Sequence, residues 1–148
     1  MRIIKFFIIL TFLSLYSLAV PSQELQSNHL QANLPDTFEE FEIMLSRDLI
    51  SYFSVLQGKQ VTIDYDLLRK QPTQSGISYP KFYAWVVVKY NDHILNKGAV
   101  RVVAINKVKI EVTDFVSAKN VRSNPKEIEA IFPRSLCNTI KQKSGVKI

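Results

Sequence analysis

The chain has 148 residues, a formal net charge of +6 and 47% hydrophobic residues. That length allows one domain, and this balance of apolar and charged residues excludes a wholly disordered chain. A single cysteine excludes an intrachain disulfide framework and a cysteine-rich zinc site. The positive charge is compatible with an anionic partner, and the distribution of charge along the chain indicates which class of partner is favoured.

The N-terminal segment, residues 1–19, has the features of a secretory signal peptide. Two basic residues precede an uncharged, mostly apolar run that ends at Leu18. Ser17 and Ala19 place small residues at the positions that a signal peptidase recognises, so we predict cleavage after Ala19. An uncleaved membrane anchor is the alternative, because the run approaches the shortest length that spans a bilayer. On the first interpretation the protein is exported, periplasmic or extracellular, and no transmembrane segment remains after cleavage.

Residues 20–34 are polar and lack periodicity, which predicts a flexible leader before a single domain over 35–148. The domain begins with a predicted helix over 36–57. Asp36 is its expected N-cap, and Glu39 completes a capping box. Gly58 is the expected stop. Apolar residues recur at helical spacing, namely Phe38, Phe41, Leu45, Leu49, Tyr52 and Leu56.

After the helix, the apolar period changes to two, which is typical of strands. The strands follow one another mostly through short turns, so we expect an antiparallel meander. A bulge or turn is expected to interrupt the third strand near Asn96-Lys97-Gly98. The predicted strands are 61–68, 81–90, 93–105 and 108–115, with a loop over 69–80.

The C-terminal part is predicted to be helical again. Asn124 is the expected N-cap of one helix, and Pro125 suits its first position. Another helix is expected to follow Pro133 and to end at Gly145. Cys137 is expected to be buried in this part as a small apolar side chain. A disulfide to another molecule is the alternative.

These elements predict an α+β domain, with a long N-terminal helix packed on a curved four-stranded antiparallel sheet and short C-terminal helices. The order resembles the cystatin-like and NTF2-like folds. The resemblance is carried by the 36–57 helix, the strand VTIDYDLL and the meander over 81–115. Protease-inhibiting cystatins carry a Gln-x-Val-x-Gly hairpin, whereas the nearest match here, residues 55–59, lies at the helix end. The resemblance therefore does not imply protease inhibition.

Strand parity separates the sheet into two faces. One face, which includes Tyr90 and Val108, is apolar and is predicted to form the core under the helix. The second face, which includes Phe115, mixes large aromatic residues with cations. This second face is either a binding surface for a protein or an anionic ligand, or a face whose aromatics pack under the C-terminal helices. If it binds, Trp85→Ala should weaken binding without unfolding the domain. The candidate binding residues are Tyr83, Trp85, Lys89, Arg101, Lys107 and Lys109.

Enzymatic signals are few. The sequence has no nucleophile elbow, zinc-protease motif, phosphate loop or dinucleotide fingerprint, so we predict no cofactor and no metal. The NTF2-like resemblance implies that a pocket between helix and sheet could hold a carboxylate base and a tyrosine donor. Tyr65, Tyr90 and Asp114 are the candidates for those roles. Alternatively, such tyrosines are structural core residues whose hydroxyl groups lie at the edge of the core.

The predicted function is that of an exported, non-enzymatic binding or accessory protein, such as a secreted effector that contacts a protein or an anionic membrane. An NTF2-like enzyme with a small-molecule pocket is the alternative. Residues 20–58 carry six acidic residues and one basic residue, whereas 59–148 carry sixteen basic and seven acidic residues. This polarity, rather than a concentrated basic stripe, favours an anionic partner on the sheet side and not nucleic acid.

Overall fold

The computed structural model of the protein describes residues 29–147. The predicted signal peptide and the first part of the predicted leader, 20–28, lie outside the described residues. Within 29–147, helices and a four-stranded antiparallel sheet confirm the α+β class. The elements are α1 (Phe38–Gln57), β1 (Thr62–Leu67), β2 (Lys81–Tyr90), β3 (His93–Ile105), β4 (Lys109–Ser117), α2 (Ala118–Ser123), α3 (Glu127–Ile131) and α4 (Arg134–Ser144).

The strands pair in the order β1-β2-β3-β4, each antiparallel to the next, as the meander predicts. The two tight turns, Asn91-Asp92 and Asn106-Lys107, have positive φ angles at both residues, between 46° and 62°. Positive φ at both central positions is the geometry that joins twisted antiparallel strands through two residues. Among the described residues, no helix combines the length and the apolarity needed to cross a membrane.

Helix α1 begins at Phe38, and its N-cap lies one residue later than the sequence pattern predicts. Thr37 is the N-cap, and its Oγ1 accepts a hydrogen bond from the Glu40 backbone N–H at 3.2 Å. The predicted cap, Asp36, forms an ion pair with Lys107 in the β3–β4 turn instead. The predicted stop is confirmed, because Gly58 ends the helix in the left-handed conformation at φ 64°.

One face of the sheet packs against α1, as predicted. Phe41, Leu45, Leu49 and Phe53 are the buried residues of the helix. Two residues assigned to this face by parity, Tyr90 and Val108, are instead 40% and 67% exposed, because they lie at or beyond the strand ends. The buried sheet residues on this side are Phe82, Ala84, Val86, Val88, Val100, Val102, Ala104 and Ile110.

The second face of the sheet packs under the C-terminal helices. Tyr83, Trp85, Ala99 and Val116 form a second buried cluster with residues of α2, α3 and α4. The sheet is therefore a middle layer covered on both faces, and it is not strongly curled around α1. The helical contributors are Ala118, Val121, Ile128, Leu136, Cys137 and Ile140, together with Phe132, which follows α3.

The described end of the predicted leader is packed against the domain. Residues 29–33 form a helical turn, and Asn33 is only 2% exposed. Its Oδ1 accepts the Asn106 backbone N–H at 2.9 Å, and its backbone oxygen accepts the Lys107 N–H at 3.0 Å. Residues 29–34, which belong to the predicted flexible leader, thus supply acceptors for two backbone donors of the β3–β4 turn.

Candidate functional site

A bulge in β4 decides which side chains share a face. Arg101 pairs with Asp114, whereas its neighbour Val102 pairs with Val112, so Thr113 is an extra residue in β4. A bulge of this kind reverses the alternation of the residues that follow it. Asp114 consequently lies on the side of the C-terminal helices, and the later residues of β4 exchange faces relative to the parity prediction. Phe115, predicted on the second face, packs into the α1 core.

The three candidate catalytic residues do not meet. The Tyr65 hydroxyl donates to the Glu42 backbone oxygen of α1 at 3.3 Å, and burial raises the pKa of Tyr65. Tyr90 lies at the far end of the sheet, with the Lys59 Nζ 4.6 Å from its ring centroid. Asp114 lies on the opposite face. The predicted carboxylate and the tyrosines therefore share no pocket.

The space between α1 and the sheet is filled. Phe53 and Phe115 pack edge to face, with ring centroids 5.0 Å apart, and Phe41 and Phe82 lie at 4.3 Å. A depression of about 200 Å³ opens beside the start of α1, where Phe41 and Phe82 contribute to its lining. That volume is below the roughly 300–1,000 Å³ typical of ligand pockets. Within residues 29–147, no three metal-ligating side chains come together.

The candidate binding residues do not form one exposed surface either. Tyr83 and Trp85 are only 4% and 7% exposed, so their assignment to an open binding face is wrong. Their burial follows from the docking of the C-terminal helices on this face. The four candidate cations have acidic neighbours, in the pairs Lys89–Asp64, Arg101–Asp114, Lys107–Asp36 and Lys109–Glu111.

Arg101 connects two layers of the domain. Its Nε donates to the Asp114 carboxylate at 2.7 Å, and its Nη1 donates to the Ile131 backbone oxygen at 3.1 Å. The guanidinium therefore holds α3 against the sheet while its charge is paired. Arg101 therefore has a structural role, since its N–H groups donate to acceptors inside the domain.

The C-terminal helices carry a net positive charge. We call residues 118–147 the basic layer, because they carry seven basic residues and only two acidic ones, Glu127 and Glu129. Helix α1, on the other side of the sheet, carries four acidic residues and one basic residue. The two signs of charge are thus segregated across the sheet. The basic residues of the layer are Lys119, Arg122, Lys126, Arg134, Lys141, Lys143 and Lys147.

Several cations of the basic layer converge on one carboxylate. Lys141 forms an ion pair with Glu129 at 3.0 Å. The pKa of Glu129 is lowered chiefly by Lys141, and also by Lys126 and Arg134. Three cations around one acid leave this cluster net positive, with side chains able to donate to phosphate or carboxylate oxygens.

Sequence reasoning did not select this surface. It placed the binding cations on the sheet. Four cations of the layer are exposed and form no ion pair within the described residues, and they donate no side-chain hydrogen bond there. The basic layer could have been identified from the sequence by counting the basic and acidic residues after Ser117. The four exposed cations are Lys119, Lys126, Arg134 and Lys147.

Cys137 is buried under the sheet in α4, as predicted, at 5% exposure. Burial raises the pKa of its thiol, which disfavours the reactive thiolate. We expect labelling by a thiol-specific disulfide reagent to be at least about a hundredfold slower in the native protein than in guanidinium chloride. Absorbance of the released thiolate measures both rates. A disulfide-linked dimer on a non-reducing gel of the native protein would contradict this expectation.

Comparisons with protein-family models, with curated proteins and with solved structures find no match to this chain.

Proposed function

We propose that this chain is an exported, non-enzymatic binding protein that attaches to an anionic partner through the basic layer. The observation that carries the proposal is the segregation of charge, with acidic α1 on one side of the sheet and the basic layer on the other. Export rests on the signal-peptide pattern of residues 1–19. A cystatin-like or NTF2-like architecture is part of the same proposal, supported by the order of a long helix followed by a four-stranded meander.

A segregated charge distribution orients the molecule as it approaches a charged surface. The basic layer is attracted to an anionic surface while α1 is repelled, so only one side of the domain binds. Lys126 and Arg134 are exposed and form no ion pair within residues 29–147, so binding breaks no ion pair there. Binding of this kind weakens as ionic strength rises, because the charges lie at the surface.

The test uses immobilised dextran sulfate as a polyanion and surface plasmon resonance as the measurement. The double variant Lys126→Glu/Arg134→Glu should bind at least about tenfold more weakly than the wild type, since it reverses two charges of the layer. Binding by the wild type should also fall steeply with added salt.

The matched control is Arg69→Glu/Lys70→Glu, which changes the net charge equally. Both control residues are exposed in the loop after β1, outside the basic layer. The control should stay within about threefold of the wild type. An equal loss in both variants would mean that net charge alone governs binding, and it would refute the basic layer as the site.

A further inference from the structure

Large apolar side chains are exposed at one end of the domain, which we call the hairpin end. It comprises the last turn of α1, residues 58–61 and the β2–β3 turn with its flanking residues. Tyr90 pairs with His93, and Lys89 with both Thr62 and Ile94, so the register brings the start of β1 beside this turn. The exposed residues are Val55 at 81%, Leu56 at 53%, Tyr90 at 40%, Ile94 at 59% and Leu95 at 37%.

The β2–β3 arm projects beyond its neighbour β4. Strand β4 ends at Ser117, opposite Gly98, so residues 93–97 of β3 have no strand partner on that side among the described residues. The strand register also shifts after Val88, because Val88 pairs with Asn96 and Lys89 pairs with Ile94. Leu95 is therefore the extra residue of a bulge, close to the predicted interruption near Asn96.

This bulge distributes apolar groups over both faces of the arm. Tyr90 lies on the α1 side, under the ammonium group of Lys59. Ile94 pairs with Lys89 and so lies on the opposite side. A flat partner surface covers only one face of this arm, which β1 flanks on the β2 side as far as Lys89. A lipid interface surrounds a projecting arm and covers both faces together with the end of α1.

The charges around the arm are complementary to anionic lipid headgroups. Lys59 and Lys97 are exposed beside the apolar residues and form no ion pair within residues 29–147. Lys119 stands at the start of α2, directly after β4, and joins this end to the basic layer. The one exposed acid at the turn itself is Asp92. Tyrosine and lysine beside apolar side chains are the composition of membrane-interface anchors.

We propose that the hairpin end inserts its apolar side chains into the interface of an anionic lipid bilayer, while neighbouring lysines contact the headgroups. This inference rests on the proposed function, since it names the anionic partner as a lipid surface. An apolar insertion and an electrostatic contact act together, and neither by itself gives stable attachment.

The first test measures co-sedimentation with vesicles of phosphatidylcholine and phosphatidylserine. The variant Leu56→Ser/Ile94→Ser should bind at least about fivefold more weakly than the wild type. The matched control is Ile77→Ser/Val108→Ser, whose residues are 77% and 67% exposed and lie outside the hairpin end. It should stay within about twofold. All four side chains are exposed, so thermal unfolding should be nearly unchanged, and a variant that fails to fold is replaced by the corresponding single substitutions.

The second test locates the arm directly. Tryptophan fluorescence of Ile94→Trp should shift to shorter wavelength when phosphatidylserine vesicles are added, and brominated lipids should quench it. Ile77→Trp is the control and should show neither effect. The native Trp85 is buried and serves as a constant background.

The outcomes separate this inference from the proposed function. If the wild type binds dextran sulfate but not the vesicles, the lipid inference is overturned and the proposed function stands. If Leu56→Ser/Ile94→Ser changes only the mass of the lipid-free protein in analytical ultracentrifugation, the arm is a self-association surface and the inference is overturned. Loss of vesicle binding with retained dextran sulfate binding in this variant supports the inference.

Discussion

Replacing Trp85 by alanine is expected to lower the free energy of unfolding by about 3–5 kcal/mol, the cost typical of removing a large buried aromatic side chain. Trp85 is 7% exposed and belongs to the cluster that holds the C-terminal helices on the sheet. Its loss leaves a cavity between β2 and those helices. Urea denaturation followed by circular dichroism measures the change without relying on tryptophan fluorescence.

Tyr90→Ala is the matched control for Trp85→Ala, because it removes an aromatic ring from the same strand. Tyr90 is 40% exposed, and its ring contacts the ammonium group of Lys59. A partly exposed cation–π contact contributes about 1 kcal/mol, so this control should cost far less. If Trp85→Ala kept the stability of the wild type and weakened polyanion binding instead, the docking of the helices on this face would be wrong.

Gly98→Ala is the second substitution with a large expected effect, about 3 kcal/mol or more of lost stability. A β-carbon at Gly98 would lie 2.3 Å from the Val116 backbone oxygen and 2.8 Å from the Ser117 Cα. Backbone atoms of a paired strand cannot move aside without breaking the β3–β4 ladder. The same β-carbon would lie 2.7 Å from the ring of Phe115, which packs on Phe53.

Gly76→Ala is the control for Gly98→Ala, since it adds the same methyl group in a loop. In the part of the chain that the structure describes, no atom lies within 4 Å of its β-carbon position, but its φ of +56° disfavours alanine. The expected cost is about 1–2 kcal/mol, from backbone strain alone. Equilibrium unfolding in urea compares the two variants. A smaller loss at Gly98 than at Gly76 would contradict the close approach of β3 and β4.

The elements of the fold were predictable because their signals are local. The helical spacing of apolar residues indicates α1, and Gly58 marks its end. An apolar period of two marks each strand. The last helix follows Pro133 and ends at Gly145, as predicted. One local signal was overlooked, namely Ser117 as a helix N-cap. Its side chain caps α2 by accepting a hydrogen bond from the Asn120 backbone N–H.

The assignment of side chains to faces was predictable only as far as the first bulge of a strand. Thr113 carries no residue type that marks a bulge, yet it moves Asp114 and Phe115 to the faces opposite those predicted. The N-cap of α1 shifted for a similar reason, because Asp36 interacts with Lys107, which is distant in sequence. Both outcomes depend on contacts between segments that the sequence pattern treats separately.

The sequence by itself determined the α+β class, the order of the elements, the apolar face under α1 and the unequal distribution of charge along the chain. Only the tertiary structure decided what the charged and aromatic residues do. Tyr83 and Trp85 are buried because the C-terminal helices dock on them, and the cations of the sheet meet acidic neighbours. Periodicity reports which side chains favour burial, whereas exposure and ion pairing depend on which layer covers each face. The basic layer therefore lies on the helices that cover the sheet, whereas the candidate cations of the sheet form ion pairs.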